Sequence, residues 1–447
     1  MKILFIQPKM SMRPMDTLLK TRMSPSLAIY TLVALTPEKH EVIVVNENIE
    51  KIDYELDVDL VAITVTVDVF PRAIQIASKF RNRGIPTIAG GIHISSQPQE
   101  AMKYFSSICV GMAERIWKKV LSDVEAGSLQ KCYCDMDNIR GDEIVSPAYD
   151  KIDKSKYFYT NIISTSRGCP FKCDFCYNSS NNSPDYIKRP IENVLNEIKS
   201  LRSRHIMFID DNFIGDIAWT KEFCKRINTL GLKWNCAVSV NILNHLDLLD
   251  MMKDAGCQSL FIGIESINAN SIKSVHKVQN NIKNYDKLIK EIHDRNMMVN
   301  ASIVFGLDDD DSSVFDTTLE WMIRRKVETV TAHILTPYPG TKLYKKMCDE
   351  NKIFDFDLSH YNTANVVYYP NKMSPKELYD GYINFYKKFY SFKNIIKRIP
   401  TSKSQWMTYF LFNFVYRKFG KITEAFSYVI PLNLIGKIIS ILCYKNN

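Results

Sequence analysis

Apolar residues in the first 125 positions gather into short β-rich runs: KILFIQ (2–7), HEVIVVN (40–46), LVAITVT (60–66), PTIAGG (86–91) and SICVG (107–111). Between them, stretches such as 26–35 and 70–84 space their apolar residues as a helix does. Strands alternating with amphipathic helices predict a parallel sheet with helices on both faces. Residues 126–155 mix charge, Gly and Pro without period, so a first domain over 1–130 and a linker over 131–155 are expected. From 156 the alternation resumes with longer helices. Runs at 157–165, 205–210, 233–240, 259–266, 298–306 and 329–337 predict six strands, the first five each followed by a helix. This is the pattern of a partial (β/α)6 barrel of TIM type over 156–345, whose reactive face lies at the strand C-termini. Residues 346–447 read mainly as helices, so the expected fold class is α/β: a Rossmann-like domain, a partial barrel and a helical C-terminal region.

Composition sharpens the picture at the C-terminus. The chain of 447 residues carries +9, yet from Gly381 onward eleven Lys or Arg face one acidic residue, Glu424. The tail's surplus exceeds that of the whole chain, so the body is near neutral and nucleic acid is not expected as a partner. Over 404–444 aromatic and aliphatic residues alternate with cations, and the longest uncharged run before Arg417 is Ser404 to Tyr416, too short to span a bilayer. Two readings stand: helices lying on an anionic membrane surface, hence a lipid or lipid-linked substrate, or a helical cap on the barrel. Eleven cysteines and an N-terminus without a signal-type apolar region point to a reducing, cytoplasmic setting, with any membrane contact peripheral.

The densest chemistry is GCPFKCDFCY (168–177), with Cys169, Cys173 and Cys176 inside eight residues. A closed zinc site wants four ligands, and no second pair follows at zinc spacing. An odd, tight cluster cannot pair internally as disulfides. Three thiolates on one loop can hold three corners of a cubane iron–sulfur cluster, leaving the fourth iron open. Cys132 and Cys134 also form a pair, in the expected linker, which reads more readily as incidental thiols than as ligands.

The spacing Cys-x-x-x-Cys-x-x-Cys, with Phe175 just before the last cysteine, resembles the signature of radical S-adenosylmethionine (SAM) enzymes. The resemblance implies a 4Fe–4S cluster on Cys169, Cys173 and Cys176, SAM chelating the open iron, and a 5′-deoxyadenosyl radical after one-electron reduction. It implies SAM contacts from Phe175 and, in FIDDNF (208–213), from Asp210 or Asp211 to the SAM ammonium. Glu265 in FIGIES (261–266) would meet the ribose or methionine end, and Gly306 in ASIVFGLDDD (301–310) the adenine. An external one-electron donor, such as flavodoxin or ferredoxin, is implied as well.

The doubly wound domain upstream, with GGIHIS (90–95) and VGMAE (110–114), resembles the cobalamin-binding members of that superfamily. Gly90, Gly91, His93 and Glu114 would then face cobalamin, with His93 beside the corrin and not on cobalt. Met112 stands where Glu is usual, and Asp-x-His-x-x-Gly is lacking, so a domain kept only as scaffold is the alternative. The preferred expectation is methylation of an unactivated carbon on a hydrophobic or lipid-linked substrate. Ring formation, ring contraction or C–C coupling would use the same residues, and a cluster-bearing sensor without turnover is the reading from another class.

Overall fold

Two six-stranded parallel sheets organise the chain in this computed structural model, which describes residues 1–135, 137, 139–182, 185–275, 277, 279–427 and 430–444. The first comprises β1 (Lys2–Gln7), β2 (Glu41–Asn46), β3 (Leu60–Thr64), β4 (Thr87–Gly90), β5 (Ser107–Gly111) and β6 (Cys132–Asp135), in the order β2-β1-β3-β4-β5-β6. Helices α1 (Leu27–Leu35) and α5 (Trp117–Glu125) cover one face, around Phe5, Ala62, Ile88 and Trp117. Helix α2 (Phe70–Arg81) and the short α3 (Ile92–Ser96) and α4 (Pro98–Ala101) cover the other, around Ile63, Phe80 and Phe105. Burial on both faces explains why these strands read as near-continuous apolar runs.

The expected linker is corrected in one respect. Its first residues form β6, paired in parallel with β5 at the sheet edge, so Cys132 and Cys134 lie on an edge strand. Farther on, Ser146 and Tyr149 donate to the Glu197 carboxylate at 2.6 and 2.7 Å. Glu197 also pairs with Arg189 at 2.6 Å, both side chains almost wholly buried.

The second sheet runs β14-β13-β12-β11-β10-β7 and is open between its edge strands. The first strand is shorter than expected: β7 is only Ile162–Ile163, and an antiparallel pair, β8 (Ser166–Arg167) with β9 (Ile187–Lys188), follows. The others, β10 (His205–Phe208), β11 (Lys233–Val238), β12 (Cys257–Glu265), β13 (Met298–Phe305) and β14 (Thr329–Ile334), fall where the apolar runs predict. Helices α6 (Ile191–Leu201), α7 (Ile217–Asn228), α8 (Leu246–Asp254), α9 (Ala269–Ser274) with α10 (Tyr285–Asp294), α11 (Val314–Arg324) and α12 (Lys342–Asp349) follow in turn. In β11, Trp234, Cys236 and Val238 are buried against the helices while Lys233, Asn235 and Ala237 are only partly covered and face the lumen.

The C-terminal region begins its helices with α13 (Pro375–Phe389), started by a reciprocal cap between Ser374 and Glu377 and by Pro375 in the first turn. Its Phe385, Tyr386 and Phe389 enter the barrel core. Then come α14 (Phe392–Lys397), α15 (Trp406–Phe410), a π-helical stretch (Leu411–Lys418), α16 (Gly420–Ser427) and α17 (Leu432–Tyr444). Arg398 is fully buried, donates to the carbonyls of Val327, Glu328 and Phe389, and lies 3.6 Å from the Phe389 ring. Through it the tail is clamped to the barrel just before β14, as a cap would be.

Replacing Glu197 by Ala leaves the Arg189 charge buried without its partner and is expected to cost about 3–5 kcal/mol of stability. Denaturant midpoints check this, and the double variant E197A/R189M is expected to recover a large part of the loss.

Candidate active site

The cysteine loop hangs between β8 and β9, at the C-terminal end of the second sheet. Gly168 takes φ +70° just before Cys169, a left-handed turn that favours glycine. The Cys176 N–H donates to the Cys173 carbonyl at 3.0 Å and closes a turn between these two cysteines. Neighbours then fix the loop. The Asp174 carbonyl accepts from Leu343 N–H at 3.1 Å, and Asn181 N–H donates to the Gly340 carbonyl at 3.1 Å. Tyr177, next after the third cysteine, stacks on Tyr338 at 4.8 Å and shares a 2.8 Å hydrogen bond with Nδ1 of His93.

Cys173 is buried, while Cys169 and Cys176 are half-buried. Desolvation raises the thiols of Cys169 and Cys176, the latter to about 12, and the charges of the other cysteines add to the rise. The three sulfurs are therefore within electrostatic reach of one another. The Gln279 side-chain amide points at Cys173 Sγ, 3.6 Å away. Among the described residues no three His, Cys, Asp or Glu side chains converge as ligands of a single ion. A cubane asks for something else, one thiolate on each of three irons, and three neighbouring thiols without a fourth ligand fit that donor set.

The two aspartates of FIDDNF prove unlike. Asp210 is buried and accepts from Thr165 N–H and Oγ1 at 3.0 and 2.8 Å, and from the Ser166 hydroxyl. It braces the strand-to-loop turn. Asp211 is exposed to the open site yet lies deep in it, so desolvation raises its carboxyl pKa, against one hydrogen bond from Asn178. Its charge is felt by Cys169 and Cys176.

Glu265 is buried at the end of β12, where the strand bulges and the residue takes φ +63°. A non-glycine residue held there is strained backbone of the kind that clusters at functional sites. Its carboxylate pairs with Lys277, itself buried, and accepts from Ser302 Oγ at 3.3 Å. Phe175 packs, half-buried, on the barrel core. Gly306 takes φ +89°, and a Cβ there would collide with the Tyr368 hydroxyl and with Leu378, so the turn itself calls for glycine. Beneath it Asp310 accepts from the N–H groups of Gly306 and Leu307, both at 3.1 Å, and burial lifts its pKa to about 6.

On the first sheet a cavity of about 220 Å³ opens beyond the strand ends, lined by Ala62, Gly90, Gly91, Gly111, Glu114 and Arg167 among others. Arg167 reaches it from β8, 3.8 Å from Glu114. His93 does not line this slot. It is buried between Phe70, at 4.6 Å, and Tyr177, and burial lowers its pKa to about 4, so it is neutral.

At the open edge of the barrel, a second cavity of about 250 Å³ lies between Ile162, Met207 and Ile209 and the C-terminal helices, with Leu19 and Met23 beside it. His205, Asn235 and Ser259 form a polar line across the lumen, with Nε2 of His205 2.9 Å from the Asn235 amide and Ser259 Oγ donating to it at 2.9 Å. The residues that pattern reasoning missed are Arg167, Lys188, Lys277 and Gln279. Lys188 is half-buried over the Trp219 ring and donates to Thr165 Oγ1 at 2.9 Å, and desolvation pulls its pKa down to about 8. None of these carries a motif; the run KVQN (277–280) stands on a segment without periodicity.

Comparisons with known proteins agree with this geometry. Residues 163–322 match the family model of the Radical SAM superfamily. The chain is 26% identical over 374 residues to a bacteriochlorophyllide d C-12(1)-methyltransferase of Chlorobaculum tepidum, covering 81% of each. Its fold is similar to that of TsrM from Kitasatospora setae, a radical SAM methyltransferase solved with cobalamin and a [4Fe-4S] cluster, with TM-score 0.61 at 15% identity over 78% of each chain. It is also similar to OxsB, a cobalamin-dependent SAM radical enzyme solved with aqua-cobalamin, with TM-score 0.65 at 12% identity over 97% of this chain and 76% of that one.

Changing any one of Cys169, Cys173 or Cys176 to Ala is expected to remove the cluster's visible absorption and lower iron well below about four per chain after anaerobic reconstitution. Cys132→Ala and Cys134→Ala are expected to leave both unchanged.

Proposed function

The chain is a radical SAM enzyme, and we propose that it is a cobalamin-dependent methylase acting on an unactivated carbon of a hydrophobic substrate. The observation that carries this reading is the position of Arg167, which lines the glycine-rich slot and stands two residues before the first cluster cysteine. One residue joins the two places where the two cofactors would have to meet. When bound, the cluster and SAM supply a 5′-deoxyadenosyl radical, and cobalamin carries the methyl group.

The slot suits a flat, largely apolar group. Gly90 is informative here, because nothing inside the chain demands a glycine. Its φ lies outside the left-handed region, and a Cβ would sit 3.6 Å from Cys109 Cβ, an ordinary contact. Its bare face is then explained by an occupant that comes close to the backbone. Glu114 and Arg167 supply polar partners at the rim. His93, neutral and engaged with Tyr177, is not offered to cobalt, and among the described residues no histidine lines the slot.

In the barrel, the three thiolates hold three irons and leave one for SAM. Asp211, whose carboxylate is the one left facing the cysteines, takes the SAM ammonium through a charge-assisted hydrogen bond. Asp210 and Lys188 hold the turn that presents it. Glu265, fixed by Lys277 and Ser302, meets the ribose or methionine end, and Phe175 completes the SAM contacts. The second cavity takes the apolar substrate, and its position next to Ile209 brings a bound molecule to the neighbourhood of Asp211. Electrons come from an external donor of the flavodoxin or ferredoxin kind.

Anaerobic purification with hydroxocobalamin is expected to give about four irons and one cobalt per chain. In Gly90→Val the side chain occupies the slot, so cobalt is expected to fall several-fold while iron stays. Four irons without cobalt in the unaltered protein would overturn the methylase reading. Asp211→Asn is expected to weaken SAM binding by about tenfold with the cluster intact. Asp210→Asn is expected to act first on stability, read as a lower midpoint.

A further inference from the structure

The C-terminal helices present two faces of different chemistry, and one of them walls the barrel cavity. In the π-helical stretch, Leu411, Phe412, Val415 and Tyr416 line that cavity. A five-residue hydrogen-bond step, seen where Phe419 N–H donates to the Phe414 carbonyl at 2.7 Å, stacks side chains four and five apart. Phe410, Phe414 and Lys418 share another face, where the two rings are half-buried against Ile395 and Tyr409 and Lys418 is exposed. Their rings run outward in a chain, Phe410 to Phe414 at 5.8 Å and Phe414 to Phe392 at 5.6 Å, with Lys418 Nζ 5.1 Å from the Phe392 ring.

The exposed surface of the tail is unusual. Fifteen large apolar side chains stand exposed among the described residues, and nine of them lie between Phe392 and Ile438, including Trp406, Phe419, Ile422, Leu434 and Ile438. Isolated exposed apolar residues are ordinary, but concentration in one segment marks a contact surface. Exposed lysines, among them Lys393, Lys397, Lys421 and Lys437, are interleaved with them. The tail's single acidic residue, Glu424, is turned to the Leu18 N–H at 3.0 Å. The surface is thus cationic and apolar together, the complement of an anionic bilayer. No helix among the described residues is long and apolar enough to cross a membrane.

We propose that the outer face of α14–α17 rests on an anionic bilayer, and that the cavity behind the π-helical wall receives the apolar part of the substrate from that bilayer. The second half rests on the methylase reading; the docking does not. The π-helical stretch would then wall the cavity while the exposed apolar residues before and after it meet the bilayer, with Ile209 at the inner end of the path, one residue before Asp210.

The full chain, with its cluster, is mixed with phosphatidylcholine vesicles containing or lacking phosphatidylglycerol. Sedimentation is expected to bring the protein down with the anionic vesicles, less so as salt rises, and weakly with the neutral ones. Trp406 is 38% exposed while Trp117, Trp234 and Trp321 are buried and Trp219 is half-buried against Phe223 in the barrel, so acyl chains carrying bromine are expected to quench Trp406 fluorescence, and Trp406→Phe to lose that quenching. The pair Leu434→Asp and Ile438→Asp is expected to lower partition by tenfold or more, estimated roughly from the lost apolar insertion. Absence of quenching, or partition indifferent to those changes, would overturn the docking. For the cavity, anthroyloxy-stearate serves as probe, and Val415→Trp is expected to weaken its binding by about tenfold. Should that variant lose iron, Val415→Phe is the milder test; unchanged probe binding in a folded variant would overturn the cavity's role. A chain that binds vesicles but no cobalt overturns the methylase reading alone.

Discussion

A four-iron cluster held by three thiolates keeps its fourth iron for an added ligand only if the loop that carries the thiolates holds its shape without a fourth protein anchor. Here the loop's shape comes from its surroundings. The pairing of β8 with β9 closes its base. Leu343 and Gly340, after β14, bind its backbone, and Tyr177 is stacked on Tyr338 and bonded to His93. The acid that would receive SAM is positioned the same way, because Asp210 spends its own carboxylate on Thr165 and Ser166 and so fixes where Asp211 points.

The same contacts join the two sheets. Ser96 Oγ donates to the Pro339 carbonyl at 2.8 Å, and the Asn182 amide to the Ser95 carbonyl at 2.8 Å. Arg167 reaches Glu114. The strand ends of the first domain thereby face the cysteine loop of the second, which is the arrangement a transfer between two cofactors requires. His93 serves this joint, and its burial there explains why it does not line the slot.

Much of the fold was legible because parallel strands buried on both sides write themselves as apolar runs, and ten of the eleven expected strands lie within a few residues of those runs. The exception in length, β7, pairs with only one neighbour at an open edge, so little in its sequence marks where pairing stops. Strand β6 was missed for the same reason: Cys-Tyr-Cys-Asp on an edge strand has one buried side chain, Tyr133. At the site, Cys169, Cys173 and Cys176 were legible because their spacing is chemistry in itself. The different surroundings of Asp210 and Asp211 were not, since they depend on hydroxyls of β8 and the turn before it. Lys277 and Lys188 were invisible as well: a lysine acquires a role here only through burial beside an acid or a ring that lies far away in sequence. Which of the tail's apolar residues cap the barrel and which stay exposed was not legible either, since it depends on the buried Arg398 and on which side of each short helix meets the barrel.

In the proposed reading the open iron belongs to SAM. The most direct test is electron–nuclear double resonance on the reduced cluster, with SAM carrying ¹⁵N in its amino group and ¹⁷O in its carboxylate. Hyperfine coupling from both labels is expected in the unaltered protein, and weakened coupling from the amino label in Asp211→Asn with the carboxylate still coupled. A reduced four-iron cluster whose spectrum is indifferent to labelled SAM would contradict it.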